Sequence, residues 1–345
     1  MSGGVDSSVA AALLQEQGHE VIGLSMQLYD QSGAQPFGSC CTLDDLQDAR
    51  RVASALGFPH YILNLERRFS ETVVANFVGE YAAGRTPLPC AHCNSDLKFS
   101  TLVERARGFD ARQVATGHYA RVERAPGGRW VLRRGVDPGK DQSYFLFALT
   151  QDQLACARFP LGSLAKPAVR EQARRLGLAV ADKADSQEIC FVPGGDYATL
   201  VAARAPAVRP GAIVDEQGER LGGHGGIHRF TVGQRRGLGV ASTSPLYVLR
   251  IDADSGDVTV GPRSALERGA LTASGVNWIA CDPPGTWTAV TAQIRHHHVP
   301  ATARVRALEG GRAELEFDEP QSAVTPGQAV VVYDDDVVVG GGWID

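Results

Sequence analysis

Two regions of this sequence hold residue types that do chemistry. Ser2-Gly3-Gly4-Val5-Asp6-Ser7-Ser8 leads straight into Val9–Gln17, a good helix former. Paired glycines let a backbone pass close to a phosphate, because no side chain stands in the way. The helix start that follows offers unpaired N–H groups and the positive end of a dipole. Ser7 and Ser8 add hydroxyl donors to the same surface. No Gly-Lys-Ser/Thr follows, so this is not the lysine-bearing phosphate loop. The plainer reading is a helix cap with a glycine turn, and a bare Ser-Gly-Gly would favour it.

Thiols are the second resource. Seven cysteines stand at 40, 41, 90, 93, 156, 190 and 281. A structural disulfide framework is not expected in a cytosolic chain of this size, which leaves reactive thiols or a metal site. Cys90-x-x-Cys93 is half of a zinc site, but Cys40 and Cys41 are adjacent and no second C-x-x-C exists, so no metal is expected. Cys190 lies between Ile189 and Phe191, and read alone it is a buried apolar residue.

The glycine loop resembles the SGGxDS signature of the PP-loop ATP pyrophosphatases, which split ATP between the α and β phosphates and adenylate a substrate. Further segments extend the likeness to essentially the whole length. They are SGGVDSSVAA, GRTPLPCAHCNSDLKF, ATGHYAR, KDQSYFL and DSQEICF, then Gly233-Gln234-Arg235-Arg236-Gly237-Leu238-Gly239, then Thr325-Pro326-Gly327-Gln328 and a terminal triple glycine. In this order they resemble the tRNA-specific 2-thiouridylases, the MnmA (TrmU) family. Enzymes of that kind have a strand ahead of the loop, whereas here the motif begins at Met1. The expectation is a late-assigned start or a truncated chain; a genuine start would deprive the loop of its anchoring strand and impair ATP binding.

The resemblance implies a tRNA-uridine 2-sulfurtransferase that consumes ATP with Mg2+ and takes persulfide sulfur from a donor or relay protein. A uracil C2 carbonyl is a poor electrophile because oxide leaves poorly; adenylating its oxygen makes AMP the leaving group. By resemblance Cys190 carries the persulfide and Cys93 is the partner thiol that releases the sulfur. A Cys93–Cys190 disulfide would remain, to be reduced by thiol exchange at each turnover. Thiolate is the reactive form, so at least one of the two should sit where its pKa is lowered.

The same likeness assigns ATP contacts to Ser2, Gly3, Gly4, Val5, Asp6, Ser7, Met26 and Gly117, although Met26 alone reads as core packing. It assigns the target base or tRNA to Leu88, Pro89, Cys90, His118, Lys140, Asp141, Gln142, Arg295, His296 and Gln328. Locally, Lys140-Asp141-Gln142 reads as a polar turn and Gln328 equally well as a turn residue. Many family members carry Asn-Pro-Asp where this chain has Leu88-Pro89-Cys90, so the carboxylate proposed there for proton transfer is absent and Cys90 competes with Cys93 as resolving thiol. His296 replaces a tyrosine. Within His296-His297-His298 adjacent rings would point to opposite faces of a strand, which argues for stacking or phosphate contact over a metal tract.

These residues need elements to position them. Val21–Tyr29 and His60–Leu65 read as strands, Gln113–Thr116 as a short one, and Asp44–Gly57 as a helix with apolar Leu46, Ala49, Val52, Ala53 and Leu56, stopped by Gly57. Strand, helix, strand implies a parallel sheet flanked by helices. Arg121–Arg134 reads as a hairpin around Pro126-Gly127-Gly128. After about residue 205 helical periodicity gives way to short β runs. Ala303–Phe317 is the clearest, a hairpin across Gly310-Gly311, and Gln328–Tyr333 and Val337–Val339 continue it. The expected architecture is an α/β PP-loop domain (HUP-like) over 1–204, a central β domain over 205–269 and a C-terminal β-barrel over 270–345.

At 345 residues the chain has room for two or three domains. A net charge of −5 argues against a generally basic surface, while RNA binding needs only a local basic face such as Arg121–Arg134 or Arg229, Arg235 and Arg236. No apolar run approaches the roughly 20 residues that cross a bilayer, and no basic n-region leads into an apolar h-region, so a secretory protein is not expected. The expectation is a cytoplasmic monomer that meets tRNA and no membrane. Two other readings stay open: another PP-loop adenylating enzyme acting on a small molecule, and a non-enzymatic zinc- and RNA-binding protein.

Overall fold

The computed structural model describes residues 1–29, 42–185, 189–205 and 209–345. Cys40, Cys41 and Ser186-Gln187-Glu188 lie outside the described residues. The chain divides into two compact units, 1–73 with 90–195 and 336–338, and 74–89 with 196–335 and 339–345.

In the first unit, α1 (Val5–Glu16) follows the glycine loop directly. The helix starts four residues earlier than its composition suggests. Gly4 takes an extended backbone as N-cap, and Ser8 Oγ donates to the Gly4 carbonyl at 2.9 Å, so Asp6, Ser7 and Ser8 fall in the first turns. Its buried residues Val5, Val9 and Ala10 pack with Val52, Tyr119, Val169 and Ala173. Burying a valine side chain of this kind contributes about 1.5–3 kcal/mol.

β1 (Gly23–Gln27) and β2 (His60–Asn64) pair in parallel, and α2 (Leu43–Leu56) lies between them in sequence. Its start is fixed by a reciprocal capping box between Thr42 and Asp45, and Gly57 ends it in a left-handed conformation that a side chain would disfavour. β3 (Val114–Ala115) forms a second parallel pair with β6 (Ala157–Arg158), while β4 (Ala120–Arg124) and β5 (Trp130–Arg134) make the expected hairpin. Neither composition nor spacing announced the π-helical turn Cys93–Phe99. There Ser95 Oγ donates to the Ala91 carbonyl and Ser100 Oγ to the Asp96 carbonyl, and Arg68 reaches Ser100 Oγ and Thr101 Oγ1.

In the second unit the helix Tyr197–Arg204 is followed by strands and two 3-10 turns among the described residues. β7 (Gly211–Val214), β8 (Arg220–His224), β9 (Tyr247–Ile251) and β10 (Val258–Gly261) form one sheet in the order β8-β7-β10-β9 around Ile213, Val248, Val258 and Val260. β11 (Glu267–Trp278), β12 (Thr288–Gln293), β13 (Ala301–Leu308), β14 (Arg312–Ser322), β15 (Ala329–Asp334) and β16 (Val337–Ile344) run β11-β14-β13-β12-β15-β16, and β16 pairs back onto β11. That closes a six-stranded barrel, and closure removes exposed strand edges. Its core holds Val305, Leu315, Val330 and Val332. The expected α/β domain followed by small β domains with a terminal barrel is therefore the fold of this chain.

Candidate active site

The glycine loop is held by its neighbours on two sides. Gly3 has φ +71, and a Cβ there would lie 2.2 Å from the Asp45 carbonyl oxygen, so the first turn of α2 presses directly on the loop. Gly117 does the same from another side: its Cβ would come within 2.8 Å of the Asp6 carbonyl carbon and the Ser7 nitrogen. The N-cap of α1 makes no side-chain bond to the first turn, which leaves the positive end of the helix dipole without a side-chain cap. Ser7 Oγ accepts from the Ser2 N–H at 3.1 Å and donates to the Gly4 carbonyl at 3.3 Å. These contacts fit a nucleotide phosphate, because backbone rather than side chain lines the loop.

Asp6 is the polar anchor of the loop. Lys166 Nζ donates to both of its oxygens at 2.8 Å, and Tyr119 OH donates to Oδ1 at 2.7 Å. Burial raises the Tyr119 phenol and the Asp6 contact raises it further, so it stays a neutral donor. Lys166, nearly buried at the start of the helix Lys166–Arg175, also meets Asp185 at 2.8 Å. Lys140 at 2.7 Å and Arg170 at 3.1 Å complete the Asp185 cluster. Burial raises the Asp185 carboxyl, but bonds from Lys140 and Lys166 outweigh it and hold it below its ordinary value.

A second cluster lies beside the first. Lys183 Nζ donates to Asp45 at 2.7 Å, to Asp48 at 2.7 Å and to the Gly3 carbonyl at 3.1 Å. Burial depresses the Lys183 ammonium, yet the two carboxylates carry it above its ordinary value. Lys166, Lys183, Tyr119, Asp45 and Asp48 escaped the sequence reading, since nothing in their spacing links residues so far apart.

Sequence-assigned residues fall as follows. Met26 is buried on β1, opposite Leu63. His118 follows Gly117; its Nδ1 lies 2.7 Å from Thr116 Oγ1 and its ring packs against Phe99 and Phe159. Burial, with a contribution from Lys98, pushes its pKa down to about 3, so the ring is neutral. Asp141 spends its carboxylate on Arg134, the Gly135 and Ser143 amides and Ser143 Oγ, and Gln142 accepts from the Tyr119 amide. Lys140 is the residue of that trio that reaches the Asp185 cluster.

Cys93, buried, opens the π-helical turn, whereas Cys90 is exposed. Cys190 is partly buried, and Phe191 next to it packs edge-on against Phe69 with ring centroids 5.4 Å apart. Among the described residues no three His, Cys, Asp or Glu side chains group as a metal site.

In the second unit Leu88 and Pro89 are buried, and Gln328 Nε2 donates to the Thr86 and Pro87 carbonyls at 3.1 and 3.2 Å. Thr86 N–H in turn donates to the Pro326 carbonyl at 2.8 Å, so the Thr325–Gln328 corner braces the run that leads to Leu88 and Pro89. Arg295 Nη1 donates to the Ser322 carbonyl. His296 and His297 lie in a turn beyond β12 with ring centroids 4.2 Å apart. The expectation of rings on opposite strand faces is thereby corrected: the strand ends at Gln293, whose amide holds the Arg295 and His296 carbonyls and turns the chain.

Comparison with known proteins adds the family. The tRNA methyl transferase HUP domain model matches residues 1–194, the PRC-barrel domain model of the same name 200–262, and the aminomethyltransferase β-barrel domain model 268–344. The tRNA-specific 2-thiouridylase MnmA of Geotalea uraniireducens is 53% identical, over 100% of this chain and 93% of the relative. Those of Geobacter metallireducens and Magnetococcus marinus are each 52% identical, over 100% of this chain and 95% and 97% of the relatives. With a shared domain series and half of its residues identical from end to end, the chain belongs to the tRNA-specific 2-thiouridylase family.

Proposed function

We propose that the protein thiolates C2 of the wobble uridine of tRNA, consuming ATP and drawing sulfur from a cysteine persulfide. The observation that carries this reading is the Asp6–Lys166–Asp185 bridge, which joins the nucleotide loop to the chain leading into Cys190. Whole-length identity to enzymes named for tRNA 2-thiolation supports it.

ATP would lie with its phosphates over Gly3, Gly4 and the α1 amides, with Ser2, Val5, Ser7, Met26 and Gly117 lining the pocket. Mg2+ would arrive carried on the ATP phosphates, since both Asp6 oxygens already accept from Lys166 and one of them from Tyr119. The uracil O2 attacks the α-phosphorus and pyrophosphate departs. Cys93 thiolate then attacks Cys190 Sγ, and the terminal sulfur leaves as hydrosulfide to add at C2. AMP departs with the original oxygen, and the Cys93–Cys190 disulfide is reduced by an external dithiol. Cys93, the attacking thiol in this scheme, is itself buried.

The family likeness assigns Leu88 and Pro89 of the second unit, and Cys90 and His118 of the first, each to recognition of the flipped base. Lys140, Asp141 and Gln142, Arg295 and His296, and Gln328 would serve the tRNA contact, through backbone and stacking interactions of the kind single-stranded loops allow. The enzyme would work as a cytoplasmic monomer that meets a persulfide donor or relay protein.

The test is an assay of wild type, Cys93→Ser and Cys190→Ser with tRNA, Mg-ATP and a persulfide donor, scoring 2-thiouridine and AMP. Both variants should lose thiolation, while wild type and Cys93→Ser, but not Cys190→Ser, should carry one added sulfur on residue 190 by mass spectrometry. Unimpaired thiolation in both variants would defeat the assignment.

A further inference from the structure

We propose that Lys183 is a positioning residue that clips the chain leading into Cys190 to the nucleotide loop, so that activation of the base and delivery of sulfur stay coupled. The inference rests on the function proposed above and goes beyond it, because that reading gives Lys183 no part in binding ATP or carrying sulfur.

All three ammonium protons of Lys183 have acceptors: Asp45 Oδ1 at 2.7 Å, Asp48 Oδ2 at 2.7 Å and the Gly3 carbonyl at 3.1 Å. Asp45 and Asp48 stand three residues apart on one face of α2, whose first turn already abuts Gly3. One cation therefore ties α2, the glycine loop and the 183–185 stretch together. It meets Gly3 through the carbonyl, which leaves the loop amides to the phosphate. The tie is shielded as well as short. Burial raises the Asp45 carboxyl, but the bonds from Lys183 and Thr42 bring it below its ordinary value.

Two residues on, Asp185 makes the matching tie to the other limb of the loop, through Lys166 to Asp6. The stem of the Cys190 segment is thus pinned at two consecutive charged residues to Gly3 and Asp6. A surface ion pair would contribute little. A part-buried lysine with two carboxylates and a carbonyl fixes a position, and reacting groups need their positions fixed.

The experiment measures 2-thiouridine formed per AMP released in Lys183→Met, Lys183→Arg and Asp48→Asn, alongside persulfide loading of Cys190 and hydrogen exchange in peptides covering 183–190. In Lys183→Met, water should take the place of the misplaced sulfur at the adenylated C2, expelling AMP and returning uridine. AMP release and Cys190 loading should therefore persist while thiouridine per AMP falls about tenfold to a hundredfold, the scale on which misplacing a reacting group lowers a rate. Exchange of the 183–190 peptides should quicken. Asp48→Asn should fall in the same direction by less, and Lys183→Arg should recover most of the yield. These two milder variants carry the test if Lys183→Met does not fold. A wild-type yield per AMP in Lys183→Met, or a loss of AMP release and Cys190 loading as large as the loss of thiolation, would overturn the proposal. Absence of sulfur on wild-type Cys190 would instead remove the reading on which it rests.

Discussion

Lys166 holds its ammonium between the carboxylates of Asp6 and Asp185, 2.8 Å from each. Asp6 belongs to the glycine loop and Asp185 to the run ahead of Cys190. With one nearly buried cation serving both, replacement by methionine leaves two part-buried carboxylates facing each other's field. Lys166→Met should destabilise the fold by about 1–3 kcal/mol. Urea denaturation at neutral pH measures it, and an unchanged midpoint would show that water replaces the bridge without loss.

The two cysteines of the Cys90-x-x-Cys93 pair differ in access. Cys90 is exposed and Cys93 is buried. Brief treatment with a bulky maleimide should label Cys90 well before Cys93, read by peptide mass spectrometry. Cys90→Ser should keep most thiolation activity while Cys93→Ser loses it. The opposite ranking would make Cys90 the resolving thiol.

His118 should not titrate in the physiological range. Burial and Lys98 push its pKa down to about 3 from the ordinary 6.5. A depressed histidine contributes stability that is present above the unfolded-state value and lost as pH falls below it. Asp45 and Asp185 behave alike around their ordinary 3.8, since both are held lower in the folded state. Stability should therefore decline in two stages on acidification, from about pH 6.5 for the histidine and from about pH 4 for the carboxylates. Urea midpoints across that range, compared with those of His118→Gln, separate the stages; only the first should shrink in the variant. An imidazole resonance of His118 that moves between about pH 8 and about pH 5 would contradict the neutral ring.

Gln328→Ala removes two hydrogen bonds to the carbonyls of Thr86 and Pro87. The expected cost is about 1 kcal/mol for each bond. Under the proposed function the larger effect is on tRNA: KM for tRNA should rise several-fold while ATP binding stays as it was. A rise in KM for ATP instead would assign the corner a different task.

Much of this was legible in the chain itself, where local chemistry decides. The three-to-four spacing of Leu46, Ala49, Val52 and Ala53 marks the buried face of α2, and Gly57 ends it in the left-handed conformation that glycine adopts readily. The Ala303–Phe317 alternation reappears as β13 and β14, with Val305 opposite Leu315 inside the barrel. What could not be read depends on distance along the chain. Lys166 and Asp6 are 160 positions apart, and Lys183 and Gly3 are 180 apart. A contact of that reach leaves no period in the sequence, and one lysine among 34 basic residues does not announce itself. The wide turn at Cys93–Phe99 was equally silent, since a π turn draws on the same residue types as an ordinary helix.

The tight seat of Gly3 under Asp45 has a practical outcome for anyone dissecting the loop. An alanine at position 3 would be refused by the protein's own helix before a nucleotide arrived, so damage there confounds folding with ligand affinity. Gly4 has only Ser2 Oγ near the place of a Cβ, at 3.7 Å. That neighbouring position is where the two effects come apart, and where a methyl group would test the proposed phosphate contact without disturbing the packing.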